Sequence, residues 1–480
     1  MTTTHPKITI IGAGGFVFPF RLIGDLVSFP ALRSATLSLM DIDAGRLARV
    51  AGATRELVTH HGFDTVVEET TDRRQALQDA DVVIITFQVG GVESYRHDVE
   101  IPRRYGVDQT VGDTVGPGGV FRFLRSVNAY EAIAADAREV CPDAQVINYA
   151  NPMAMATAFL NAKGLRTVGL CHSVQGTTRM LARTLGVPYD EVSYKCAGIN
   201  HQSWILEFRH GTEDLYPRLR ETMRVRHLPG QAAAGLTVDD GDHSEAAEAA
   251  STYEGGNEQV RTTIMDAFGY FQTESSHHAS EYLPYFRKNP ELVTEYIPER
   301  WDYYEICASH DESGDVHTQL AKLKDNLAPS VEYGASIVNS MVTGRPSVIY
   351  GNVPNSLGSS SGSGGSSGSS GAGIISNLPS DACVEVPCLV DHNGVQPTAV
   401  GDLPPQLAAV NRTNIGVQTL AVQAALTGNR ENVYHAVMLD PLTSALLTVE
   451  QIRQMTDELL EAHAELLPEA LKPAARPVTV

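Results

Sequence analysis

Cys171 and His201, in Gly169-Leu-Cys-His-Ser-Val-Gln-Gly-Thr177 and Ala197-Gly-Ile-Asn-His-Gln-Ser-Trp204, offer a thiolate and an imidazole to one ion. That pair suits a transition metal better than magnesium or calcium, and two protein ligands leave coordination positions free for a substrate. Each residue also has a plainer use: a cysteine after a strand is commonly a small buried hydrophobe, and a histidine a satisfied core or surface group. Two nearby segments add polar groups. Ile147-Asn-Tyr-Ala-Asn-Pro-Met153 ends in Asn151, and Gly112-Asp-Thr-Val-Gly-Pro-Gly-Gly119 carries Asp113 and leads to Arg122. Both could contact a sugar or an anion; both could equally be connecting turns.

The elements that must position these groups are read from hydrophobic patterning. Short β-branched runs at Lys7–Ile11, Thr36–Met40, Val82–Thr86, Val146–Asn148 and Thr167–Leu170 are separated by stretches of helical length. This alternation predicts α/β architecture with a doubly wound parallel sheet, and it places Asn151 and Cys171 on the carboxyl rim of that sheet. The first run passes into Gly12-Ala-Gly14-Gly15, where glycines allow a tight turn and close approach of a pyrophosphate to a helix N-terminus; the third glycine of the usual fingerprint is Val17. Asp41, in Leu39-Met40-Asp41-Ile42-Asp43, stands where an acidic residue binds ribose hydroxyls and repels a 2′-phosphate, so the expected cofactor is NAD. Asp43 is an alternative for that role.

Residues 1–200 are therefore expected to form an NAD-binding Rossmann-like domain. Residues 201–480 are expected to form a C-terminal domain ending in helices, from the spacing in Val410–Gly428 and Leu447–Leu467. Residues 230–256, rich in Ala, Gly, Asp and Glu, read as a flexible flap or linker. The segment 358–371 reads as a flexible Gly/Ser insertion with no chemistry of its own.

A formal charge of −21 without long runs of like charge argues against nucleic acid or an anionic membrane as partner. No apolar run approaches the ~18 residues of a membrane span. Six cysteines in 480 residues, and a start without the pattern of a signal peptide, point to the reducing cytoplasm.

The segments quoted above, taken in order, resemble glycoside hydrolase family 4, the NAD- and divalent-metal-dependent glycosidases, and its α-galactosidase branch most closely. The resemblance continues through Gly269-Tyr-Phe-Gln-Thr-Glu-Ser-Ser276, Pro346-Ser-Val-Ile-Tyr-Gly-Asn352, Asn377-Leu-Pro379, Cys383-Val-Glu-Val386 and Gly401–Asn414, departing only at the Gly/Ser insertion. It implies a lactate/malate-dehydrogenase-like fold, a C-terminal α+β domain for substrate, metal and oligomerisation over residues 201–480, and a homodimer or homotetramer acting on a small glycoside. It also implies a mechanism outside two-carboxylate glycoside hydrolysis. NAD takes hydride from sugar C3, a base removes the acidified C2 proton, and the metal (manganese by preference) stabilises the enediolate. The aglycone leaves with help from an acid, water adds, and the hydride returns.

Carried over by position, the resemblance makes Cys171 and His201 the metal ligands, Gly12, Gly14, Gly15 and Asp41 the NAD site, and Asn151 with Asp113 the substrate contacts. His172 becomes the leaving-group acid or a hydrogen-bond donor. The base falls near His278, with His277, Tyr282 and Glu274 as competitors. An α-galacturonidase is the nearby alternative, since the C6 pocket is not readable from sequence. A dehydrogenase with net redox, and an NAD-responsive binding protein, are the alternatives from other classes.

Overall fold

The computed structural model describes residues 5–15, 18–226, 257–309, 315–356 and 373–473. Val17, the expected flexible segment 230–256 and the Gly/Ser insertion 358–371 lie outside the described residues.

The expected β-branched runs form β1 (Lys7–Ile11), β2 (Thr36–Met40), β4 (Val82–Ile85), β5 (Gln145–Asn148) and β6 (Arg166–Gly169), joined by an unforeseen edge strand, β3 (Val66–Thr70). Pairing is parallel throughout in the order β3-β2-β1-β4-β5-β6, the arrangement of a doubly wound nucleotide-binding sheet. Both faces are apolar. Ile8, Ile10, Leu37, Leu39, Val82 and Ile84 pack on the helices Phe18–Ser28, Ala44–His61 and Tyr333–Thr343. Ile11, Met40, Val83, Ile85 and Val146 pack oppositely, on Gly116–Val140, Pro405–Thr427 and Val449–Ala462. Such two-sided burial explains why these strands read as continuous apolar runs, each large side chain contributing roughly 1.5–3 kcal/mol.

The sheet does not end at β6. It continues through β11 (Ser347–Pro354), β12 (Cys383–Asp391), β7 (Val192–Ile199), β8 (Gln202–His210) and β10 (Phe271–Gln272), with β13 (Gly394–Pro397) and β9 (Glu213–Asp214) attached to β12 and β8. These additions are antiparallel, and two of the joins are single residue pairs: Gly169 with Asn352, and Gly198 with Glu385. Residue 200 lies in the turn between β7 and β8, inside this sheet. The expected C-terminal helices are present; Val449–Ala462 opens with a capping box formed by Thr448 and Gln451.

Candidate active site

The glycine turn after β1 is built around Asp41. Gly12 adopts φ +90°, and a Cβ there would lie 2.8 Å from Phe87; at Gly14 a Cβ would lie 2.7 Å from the Asp41 carboxylate. The Gly14 amide donates to Asp41 Oδ2 at 2.8 Å. Asp43 is committed elsewhere, accepting from the Gly45 and Arg46 amides as the N-cap of the next helix. Asp41 is thus the acidic residue that borders the loop.

Because β5 and β6 are neighbouring parallel strands, Asn151 and Cys171 emerge on one rim. His201 comes to the same place from the β7–β8 turn, its Nε2 3.2 Å from Cys171 Sγ. Glu274, just past β10, brings Oε2 to 3.7 Å from the same nitrogen. One ligand atom from each of Cys171, His201 and Glu274 lies within 4.8 Å of the others, a spacing that can hold a metal ion. His201 (φ 60°) and Glu274 (φ 73°) are two of the three non-glycine residues with positive φ among the described residues. A left-handed conformation at such residues costs about 1–3 kcal/mol and persists where the surroundings impose it, often at functional sites.

The charges in this cluster are coupled. Burial pushes the Cys171 thiol up to about 12, with Glu274 and Glu385 adding to the effect and His172 opposing it. Burial would also raise Glu274, but His201, His278 and His172, when protonated, outweigh it and hold that carboxyl below its ordinary range. Behind His201 lies His278, whose Nε2 is 2.8 Å from His201 Nδ1 and whose Nδ1 is 3.3 Å from Glu281 Oε2. His277 faces away, stacked on Trp301 with Nε2 3.0 Å from the Glu299 carbonyl.

Asp113 and Asn151 meet: Asn151 Nδ2 donates to Asp113 Oδ2 at 3.3 Å, and Arg122 Nη1 lies 3.4 Å from the same oxygen. His172 Nδ1 stands 3.3 Å from Glu332 Oε1. Burial would lower the His172 pKa, but the Glu332 carboxylate reverses this and carries it to about 10. The Tyr282 hydroxyl is fully buried, has no hydrogen-bond partner among the described residues, and sits in the field of Glu274, Asp113, Glu281 and Cys171.

Comparison with known proteins shows the family. The family 4 glycosyl hydrolase model matches residues 7–187, and the family 4 glycosyl hydrolase C-terminal domain matches residues 196–443. An α-galactosidase of Bacillus subtilis (strain 168) is 39% identical over 473 residues, covering 96% of this chain and 99% of the relative. The chain belongs to glycosyl hydrolase family 4. An α-galactosidase of Rhizobium meliloti (strain 1021) is 34% identical, with coverage of 96% and 89%. Among solved structures, a 6-phospho-alpha-glucosidase from gut microorganisms, in complex with NAD and Mn2+, superposes with a TM-score of 0.74 at 21% identity over 97% of this chain and 99% of that one.

Within this family 4 chain, the structure therefore gathers Cys171, His172, His201 and His278 in one cluster, pairs Asn151 with Asp113, and sets Asp41 against the glycine loop. Sequence reasoning did not single out Glu274 as a metal-site group, nor Glu332, Glu281 or Glu385 at all. Glu274, Glu332 and Glu385 lie far along the chain from His201, His172 and Ser203, whereas Glu281 sits three residues from His278 inside a segment that had drawn notice for its histidines and tyrosine.

Proposed function

We propose that this chain hydrolyses α-galactosides, using NAD held by Gly12, Gly14, Gly15 and Asp41 and a divalent ion, preferably manganese, held by Cys171, His201 and Glu274. The observation that carries the reading is the thiol, imidazole and carboxylate converging on the rim of a nucleotide-binding sheet. The residues suit both groups: a side chain at Gly14 would fill the space beside Asp41, and a soft and a borderline ligand joined by a carboxylate favour a transition ion. When bound, the two groups supply a hydride acceptor for C3 and a positive field for an oxyanion beside C2.

The chain's own residues would do the remaining work. Asn151 and Asp113, already paired, are placed to orient sugar hydroxyls. His172, kept as imidazolium by Glu332, donates a proton to the glycosidic oxygen as the aglycone departs. Tyr282, and not the expected His278, serves as the base at C2. Both ring nitrogens of His278 face protein partners, whereas the Tyr282 hydroxyl has none among the described residues.

An α-galacturonidase is the second reading. Arg122, the cation beside Asn151, is already neutralised by Asp113, which favours an uncharged sugar. The test is release of nitrophenol from nitrophenyl α-galactoside by the pure protein with NAD, Mn2+ and a thiol reductant. Release is expected; faster turnover of the α-galacturonide would move the substrate assignment, and no release from either would overturn the reading. Stoichiometric accumulation of NADH would instead identify a dehydrogenase.

A further inference from the structure

Glu281 is a fully buried carboxylate that faces mainly donors. Its Oε1 accepts from the amides of Thr110 and Val111, each at 2.7 Å, and from Thr110 Oγ1 at 3.1 Å. Its Oε2 accepts from the Gly112 amide at 3.2 Å, and Gln109 Nε2 donates to the same oxygen at 3.3 Å. Backbone amides donate and cannot accept, so a carboxyl proton would displace one of these bonds. The group that remains 3.3 Å from Oε2 is His278 Nδ1, which must therefore carry hydrogen. In a neutral ring His278 Nε2 is then an acceptor, and the atom 2.8 Å away, His201 Nδ1, must donate to it. That leaves His201 Nε2 without hydrogen. It is this atom that faces Cys171 Sγ and the Glu274 carboxylate.

We infer that Glu281 and His278 are positioning residues: the chain Glu281–His278–His201 fixes the tautomer of His201 so that its Nε2 lone pair points at the metal position. The same carboxylate ties residues 109–112, next to Asp113, to the ligand, so the sugar-facing loop and the metal position share one anchor. This rests on the reading of Cys171 and His201 as ligands. Partners behind a metal-bound histidine typically change metal affinity by roughly 10–100-fold when removed. A glutamine at position 278 can serve the same polarity, its carbonyl accepting from His201 and its amide donating to Glu281; a leucine cannot.

The experiment titrates Mn2+ into full-length wild type, Cys171→Ser, His278→Leu and His278→Gln, reading free Mn2+ by electron paramagnetic resonance, with NAD affinity measured in parallel. Wild type is expected to bind, and Cys171→Ser to bind weakly. His278→Leu is expected to weaken binding by roughly 10–100-fold and His278→Gln to stay within about threefold of wild type, with NAD affinity unchanged in both. If Cys171→Ser binds as wild type does, the ligand reading fails and takes the inference with it. If Cys171→Ser is weak while His278→Leu matches wild type, or His278→Gln is as weak as His278→Leu, the ligand reading stands and the inference is overturned. Should His278→Leu not fold, nitrogen NMR of histidine-labelled, metal-free wild type decides: His201 protonated on Nδ1 is expected, and protonation on Nε2 overturns it.

Discussion

On the proposed reading Tyr282 and His172 would divide the proton chemistry, although the surroundings of both favour the protonated form. The Tyr282 hydroxyl is held neutral by burial and by the carboxylates around it, so as the proposed base it would need a cation in the neighbouring ligand cluster. Removing the hydroxyl in Tyr282→Phe should lower kcat by roughly 10²–10⁴-fold, the usual share of a general base, with little change in NAD affinity. A steady-state and binding comparison checks this, and an undiminished kcat would exclude Tyr282. His172 depends on Glu332, which lifts its pKa to about 10 against the effect of burial. An acid must be protonated to act, so wild-type activity should not lose this proton until pH approaches that value. In Glu332→Gln the alkaline loss should move down toward the ordinary histidine value of ~6.5, measured as the pH profile of kcat. An unmoved alkaline limb would mean that His172 is not the acid. His278 shows how far a carried-over position can be read: the resemblance put the base near it, and only the geometry reveals that both of its nitrogens face protein partners.

At the scale of elements, the glycine turn and the two narrow joins of the sheet matter most. Gly14→Ala would drive a methyl group into the Asp41 carboxylate, only 2.7 Å from the ideal Cβ, so a large loss of NAD affinity is expected in a calorimetric titration while Mn2+ binding persists. Beneath the ligand cluster, Asn352 on β11 donates to both the Gly169 carbonyl and Glu385 on β12, and Ser203 on β8 donates to the other Glu385 oxygen at 2.5 Å. These bonds bridge the joins at Gly169 and Gly198. Burial nevertheless raises the Glu385 pKa to about 7, against the pull of Ser203 and Asn352. The folded state then holds its proton more tightly than the unfolded chain, so this residue's contribution is full below about pH 4.5 and is lost as pH rises toward 7. The loss is on the order of 3 kcal/mol. Glu385→Gln does not titrate, so metal-free denaturation curves should show the variant gaining on wild type from pH 5 to pH 8, within roughly that amount. Parallel curves would contradict it. The six parallel strands were largely legible because burial on both faces makes them apolar runs. β3 was not, because an edge strand of sequence Val66-Val-Glu-Glu-Thr70 with mostly exposed or half-buried side chains carries no such signal.

Over the whole molecule, the two halves of the chain share one sheet, and helices from the second half cover a face of the first. The site is assembled from residues as distant as Asp41, Cys171, Glu274 and Glu332, and motif spacing could locate the first two because each follows a strand. Glu274 and Glu332 enter through long-range packing, which periodicity does not encode. Among the described residues no helix is long and apolar enough to cross a membrane. On the proposed reading this assembly would break a glycosidic bond by removing the C2 proton after transient oxidation at C3. Hydrolysis of nitrophenyl α-galactoside in deuterium oxide, with NAD and Mn2+, tests it most directly. Galactose bearing deuterium at C2, release that depends on NAD, and no net build-up of NADH are expected; galactose released with its C2 hydrogen intact, at a rate indifferent to NAD, would rule this chemistry out.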